Sequence, residues 1–125
     1  MHSRAERYFY AMFTVIEIKE LIRTGRVDKF YNDKFWRRLS KDVRREQNNE
    51  CQLCKAKGIY TPSTITHHVN HLRKRPDLAY SRYYIDRDGK KKRQLIGVCD
   101  ACHEAEHPDR HNNVAKPRFT NVERW

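Results

Sequence analysis

The residues in this chain with chemistry to offer are four cysteines and a cluster of histidines. Cys51-Gln-Leu-Cys54 and Cys99-Asp-Ala-Cys102 account for every cysteine. Between them lies Thr66-His67-His68-Val69-Asn70-His71, and His103 and His107 follow the last cysteine. Five of the seven histidines therefore fall within residues 51–107. Two C-x-x-C pairs supply the four thiolates of a tetrahedral zinc site, and a two-residue spacer lets both sulfurs of a pair face one ion. A redox motif needs one pair, not two, and no thioredoxin-like βαβ pattern surrounds either. No signal peptide is visible, so a reducing, cytoplasmic compartment is expected and disulfides are disfavoured. The 44 residues between the pairs (55–98) exceed a simple zinc ribbon, so something else is built there.

His103 and His107 stand at i and i+4, so a helix would present both from one face. A strand ending in His67-His68 and lying against that helix gathers three or four imidazoles near one point. Such a set suits phosphodiester hydrolysis. One imidazole, kept neutral by its surroundings, takes a proton from water. A divalent cation neutralises charge on the scissile phosphate and stabilises the leaving oxygen. Adjacent strand residues face opposite ways, so the strand must twist or end at this pair for both to serve one site. The alternative is that individual histidines simply pack or hydrogen-bond.

The chain that must position these groups is short and basic. At 125 residues it is one domain with arms. Hydrophobic content is 38% and mean hydropathy −1.04, so the core is small, and zinc would supply stability that a thin core cannot. Lys+Arg outnumber Asp+Glu 27 to 16, leaving +11 and a pI near 9.8. That excess implies a polyanionic partner, nucleic acid first. An anionic membrane surface is the competitor, but no long apolar run or strongly amphipathic basic helix supports it.

The spacing of Ala11, Val15, Ile18 and Ile22 predicts a helix over 11–23 that stops at Gly25, for packing or dimerisation. A second helix is predicted over 33–47, capped by Asp33, with Phe35, Trp36, Leu39 and Val43 as its buried stripe. Lys34, Arg37, Arg38, Lys41, Arg44 and Arg45 crowd the remainder, as a solvated face or as phosphate contacts. β-branched residues predict a strand over 64–69. Residues 80–98 read as a hairpin, Tyr83–Ile85 against Gln94–Val98, with Asp88-Gly89 in the turn. Its tip carries Arg87, Lys90, Lys91, Lys92 and Arg93, as a solvated loop or a finger for duplex phosphates. A short helix runs from Ala101 to His107, capped by Asp100 and ended by Pro108. Residues 1–10 read as a loose start, and the tail after Arg110 as an extended basic arm.

Together these motifs resemble the HNH endonucleases, particularly small phage-type members with a four-cysteine zinc. The likeness spans about Phe30 to Pro108. It rests on Phe30-Tyr31 with Phe35-Trp36, on Glu50-Cys51-Gln-Leu-Cys54, and on His67-His68-Val69. Arg75-Pro-Asp-Leu-Ala79 and Cys99-x-x-Cys102-His103-x-x-x-His107 complete it. The resemblance implies an α+β fold: a zinc-stapled ββα-metal (His-Me finger) domain with N-terminal helices and an extended C-terminal arm. Residues 1–32 would be the N-terminal helical arm, 33–110 the nuclease domain and 111–125 the tail. It implies that His67 and His103 bind a catalytic divalent ion, with His107 as a second helix ligand. His68 would be the general base, and the four cysteines would hold zinc away from the chemistry. The family's central Asn stands five residues before the third cysteine, where this chain has Gln94, followed by Leu95-Ile96 as the family would have it. Gln offers the same amide one methylene farther out, to fix the loop and orient the base. Asn70 and His71 are the other supporting candidates.

The expected function is therefore a metal-dependent endonuclease that nicks or cuts duplex DNA, encoded by a phage or mobile element. The expected catalytic ion is Mg²⁺ or Mn²⁺, although a site rich in imidazole also accepts Ni²⁺ or Zn²⁺. Mg²⁺ prefers oxygen, so phosphate and water would complete its shell. Lys90, Lys91, Lys92 and Arg93, with Arg37, Arg38 and Lys41, are the expected DNA contacts. The chain is expected to act as a monomer, with a packaging or recombination protein as a further partner. The competing reading is a non-catalytic zinc module that only binds nucleic acid.

Overall fold

The computed structural model describes residues 12–106. Ala11 of the first expected helix, the His107 ligand, the loose start and the C-terminal arm lie outside the described residues. Helix α1 (Val15–Arg23) begins at a reciprocal capping box, in which Thr14 and Glu17 each take the other's backbone N–H. That cap starts the described helix later than the apolar spacing predicts. Ile18 is buried, with Leu21 and Ile22 packed beside it, whereas Val15 faces solvent. Gly25, at φ +72°, ends α1 in the left-handed conformation that glycine tolerates best.

A four-residue helix, α2 (Asp28–Tyr31), carries Phe30 and Tyr31 into the core. Helix α3 (Lys34–Glu46) matches its sequence signals closely. The Asp33 carboxylate accepts from Trp36 N–H at 3.1 Å, and Trp36, Leu39 and Val43 are buried. These rings and aliphatic groups join Ile18, Leu72 and Leu95 in the main core. Tyr80 ties the start of the described chain to it, its hydroxyl accepting from Phe13 N–H at 3.0 Å.

The site is built on two antiparallel strands, β1 (Ile65–His68) and β4 (Leu95–Val98), paired Ile65 to Val98 and His68 to Leu95. Helix α5 (Asp100–Ala105) follows β4 directly and completes a ββα unit; its N-cap is Cys99 and not Asp100, whose carboxylate accepts from the Thr64 hydroxyl at 2.7 Å. Both faces of β4 are covered. Leu95 enters the main core, while Ile96 and Val98 join Cys51 in a smaller one. Gln47, the C-cap of α3, reaches the free side of β4. Its Oε1 accepts from Gly97 N–H at 2.8 Å and its Nε2 donates to the Leu95 carbonyl at 3.2 Å.

The expected hairpin partition is corrected. Strand β2 (Tyr83–Ile85) pairs with β3 (Lys91–Arg93), not with residues 94–98. The turn explains this. Asp86 N–H donates to the Lys90 carbonyl, and the Asp86 carboxylate accepts from the Asp88 and Lys90 amides at 2.9 and 2.8 Å. The closure leaves three residues in the loop, with Gly89 left-handed at φ +78°. Residues 95–98, apolar on both faces, are then free to pair with β1. The ribbon is fastened to α3 by a bidentate ion pair from Arg82 to Glu46, with contacts of 2.8 to 3.2 Å. Among the described residues no helix is long and apolar enough to cross a membrane.

Candidate active site and metal centre

The cysteines are set by local structure at both ends of the ββα unit. Cys51 caps helix α4 (Gln52–Ala56), its sulfur accepting from Cys54 N–H at 3.4 Å. Cys99 and Cys102 come from the joint between β4 and α5. All four sulfurs lie within 4.8 Å of one another. Cys54 is 3.9 Å from Cys99 and 3.6 Å from Cys102, sulfur to sulfur. A tetrahedral ion with metal–sulfur bonds of about 2.3 Å separates its ligands by about 3.8 Å, so the set fits. The thiols differ in acidity. At Cys51 burial pushes upward, but amide hydrogen bonds from Cys54 and Cys99 outweigh it and bring the thiol down to about 7. At Cys102 burial, with the neighbouring thiols, pushes the thiol up. A shared cation removes that conflict by stabilising every thiolate.

Strand alternation divides the histidine pair. Ile65 and His67 face α5 and the cysteines; Thr66 and His68 face α3. His67 is buried, its ring centre 5.5 Å from His103 and 5.8 Å from His71, both nearly edge-on. Two imidazoles on one ion at bond lengths of about 2.0–2.1 Å have ring centres about 5 Å apart. His67 and His103 thus fit a common ion, with His71 beside them on the loop after β1. This set is more open than the thiols: among the described residues only the cysteines bring three or more ligand atoms within 4.8 Å.

His68 occupies a different environment. Its ring is fully buried and stacks on Trp36 at 4.7 Å and 17°, with Phe30 and Tyr31 at 6.0 and 6.1 Å. Nε2 lies 3.0 Å from the Ala79 carbonyl. A carbonyl only accepts, so Nε2 carries the hydrogen and Nδ1 keeps a bare lone pair. Nδ1 is buried and makes no hydrogen bond. Burial drives the pKa down to about 4, against the Ala79 carbonyl, which raises it; charge at His71 and His103 lowers it further. The ring is therefore neutral at pH 7.

That shift has a stability consequence. The unfolded imidazole titrates near 6.5 and the native one near 4, so between these values the unfolded chain binds more protons. Stability contributed by the neutral ring is complete above pH 6.5. It is lost as pH falls, by about 3 kcal/mol at pH 4. Urea unfolding of the wild type and His68→Gln across this window should give curves that converge in acid, because only the wild type loses the His68 contribution, while acid loss of the thiolate-bound ion is common to both and cancels in the difference. Parallel curves would show that His68 does not titrate this way.

Gln94 is fully buried between the two strands. Its Oε1 accepts from the Asn70 backbone N–H at 3.0 Å and from Asn70 Nδ2 at 2.9 Å, and its Nε2 donates to the Asn70 carbonyl at 2.9 Å. The side chain thus clamps the loop between His68 and His71, a span that the extra methylene reaches. Gln94→Ala would leave three half-buried polar groups of Asn70 without these partners, a cost of about 1–3 kcal/mol. A denaturation midpoint equal to wild type would show that the clamp contributes nothing.

The expected DNA contacts fall into two groups. Of the four ribbon cations, three are folded back onto the ribbon. Lys91 lies over the Tyr83 ring at 4.2 Å, Lys92 pairs with Asp86 at 3.0 Å, and Arg93 donates to the Tyr83 hydroxyl at 2.9 Å. Lys90 is exposed in the turn, and Arg37, Arg38 and Lys41 are exposed along α3. Two partners of the site escaped the sequence reading, the Trp36 face and the Ala79 carbonyl that together hold His68. Trp36 was legible as a core residue, but nothing in its spacing names the ring it stacks on.

No family model matches this chain, and no curated protein is similar to it in sequence. One solved structure is similar: the HNH endonuclease of the deep-sea thermophilic bacteriophage GVE2, with a manganese ion. The two superpose with a TM-score of 0.54 over 90% of this chain and 98% of the phage chain, at 19% identity. The likeness is one of fold.

Proposed function

We propose that this chain, which has the fold of an HNH endonuclease, is a metal-dependent endonuclease that hydrolyses phosphodiester bonds in DNA. The observation that carries this is the histidine arrangement on the ββα unit. His67 and His103 would hold a divalent ion, Mg²⁺ or Mn²⁺, with His107 as a further ligand. His68 would be the base: neutral, held in one tautomer by the Ala79 carbonyl, its Nδ1 accepting the proton of the attacking water as one P–O ester bond breaks. When bound, the divalent ion neutralises charge on the scissile phosphate and stabilises the leaving oxygen. Gln94 would keep the loop between His68 and His71 in place. The thiolate site would hold zinc, which suits a closed set of four sulfurs. The net charge of +11 supports DNA as the partner. A phage or mobile-element origin, action as a monomer and a cytoplasmic location belong to the same proposal.

One observation favours a second reading, a zinc-stapled module that binds DNA without cutting it. His68 is wholly enclosed and faces away from His67. Nicking of supercoiled plasmid with added Mg²⁺, Mn²⁺ or Ni²⁺ decides between them, with His67→Ala as the comparison. The enzyme reading expects metal-dependent nicking that His67→Ala abolishes while thiolate-bound metal and DNA binding persist. Firm DNA binding with no nicking under any metal would establish the module.

A further inference from the structure

A cleft of about 870 Å³ opens between α3 and the edge of β1, on the face of the strand that carries Thr66 and His68. One wall presents Lys34, Arg37, Arg38, Lys41 and Arg44; the other is the strand segment 64–66. No carboxylate lines it. Lys34, Arg37 and Lys41 are exposed and form no ion pair among the described residues. Arg44 is pinned at the base by neutral groups, its Nη1 donating to the Ser40 hydroxyl at 3.1 Å and lying 3.5 Å from the Thr66 hydroxyl. The acids of α3 are engaged elsewhere, Asp42 with Arg45 and Glu46 with Arg82. A concave surface lined by no carboxylate, with Lys34, Arg37 and Lys41 exposed along it outside any ion pair among the described residues, is an anion site, and the run of these cations along α3 suits a chain of phosphates.

We infer that this cleft, and not the β2–β3 ribbon, holds the sugar–phosphate backbone of DNA. The inference rests on the nuclease reading above and assigns the surface that reading needs. Three of the four ribbon cations, Lys91, Lys92 and Arg93, are already engaged with Asp86 and Tyr83, so moving them to phosphate would break contacts the protein already makes. Lys34, Arg37 and Lys41 have no ion pair among the described residues to give up. Recognition there is of phosphate, not of bases. Tyr31 and Trp36 line the cleft but are 1% and 3% exposed, so neither offers a ring face on which a base could stack. Backbone contacts of this kind set position without reading sequence.

The test is fluorescence anisotropy with a labelled duplex, in chloride salts without added divalent ion, so that binding is read apart from cleavage. The triple variant Lys34→Gln, Arg37→Gln, Lys41→Gln should lower the slope of log K against log salt by about 3. That corresponds to binding roughly 500-fold weaker at about 0.1 M salt. Unrelated duplexes should weaken alike. Lys90→Gln, Lys91→Gln, Lys92→Gln should change affinity less than about threefold. Melting temperature and bound metal report folding; if the cleft triple variant melts early, Arg37→Gln alone should lower the slope by about 1. Unchanged slope and affinity in the cleft variants, or a large loss in the ribbon variant, would overturn the inference. So would displacement of DNA by inorganic phosphate at matched ionic strength, which would mark a small-anion pocket instead. A wild type that binds no duplex defeats the nuclease reading itself. A wild type that binds and nicks, with cleft variants unaffected, defeats only the assignment of the cleft.

Discussion

Cys54→Ser should leave the region from the first knuckle to α5 unfolded, with no metal bound to the three remaining thiols. The smaller core holds little besides the metal site: Cys51, Ile96 and Val98, with Leu53, Ile65 and the other cysteines packed around them. Hydrophobic burial on that scale cannot hold two knuckles together whose sequence positions are so far apart. A structural thiolate site contributes about 10–16 kcal/mol of apparent binding energy, against a typical domain stability of about 5–15 kcal/mol. Serine offers no thiolate to replace the lost ligand. The damage should spread, because β4 belongs to both cores and β1 pairs only with β4 among the described residues. Metal analysis and thermal melting of the purified variant check this. A cooperative melt at the wild-type temperature, with no metal in either protein, would sink the idea.

The second large effect is on catalysis. His68→Gln should cut the nicking rate by about 10²–10⁴ while binding DNA and metal as before. Glutamine is chosen because alanine would open a cavity beside Trp36 and confuse chemistry with packing. The glutamine amide can still donate to the Ala79 carbonyl, so the wall around the site keeps its hydrogen bond. It cannot take a proton from water. Single-turnover rates at saturating protein would isolate this step, and melting curves would show whether the fold has suffered. A variant that nicks at the wild-type rate would remove His68 from the reaction and leave it as a core histidine.

Several features were readable from residues alone because the causes are local. Asp33 caps α3, and of the expected stripe Trp36, Leu39 and Val43 are buried as the spacing predicts, while Phe35 is only half-buried. The C-x-x-C spacing brought four sulfurs together. The Gln94 position follows from the family resemblance, five residues before Cys99, and not from the residues alone; its amide spans the loop. What escaped is settled by contacts distant in sequence. The ribbon's true partner strand depended on whether Leu95–Val98 would pair with Tyr83–Ile85 or with Ile65–His68, and both are plausible apolar partners. The fate of Lys91, Lys92 and Arg93 turned on Tyr83 and Asp86 across the ribbon. Alternation on β1 was anticipated as a difficulty for His67 and His68, and it proved real: the rings diverge to opposite faces. That His68 would sit among Trp36, Phe30 and Tyr31 required the packing of α2 and α3 on the strand.

A two-stranded sheet carries a hazard, because each unpaired margin is a template on which another chain can lay down a strand. On the outer side of β4 the groups at risk include the Leu95 carbonyl and the Gly97 amide, two residues apart as a third strand would meet them. The Gln47 side chain answers both with one amide, imitating a peptide unit of that missing strand. Helix α3 thus stabilises the sheet and also occupies the place where stacking of copies would begin. Gln47→Leu would leave those two groups unanswered, so its signature should be clumping of the refolding chain more than loss of any single contact.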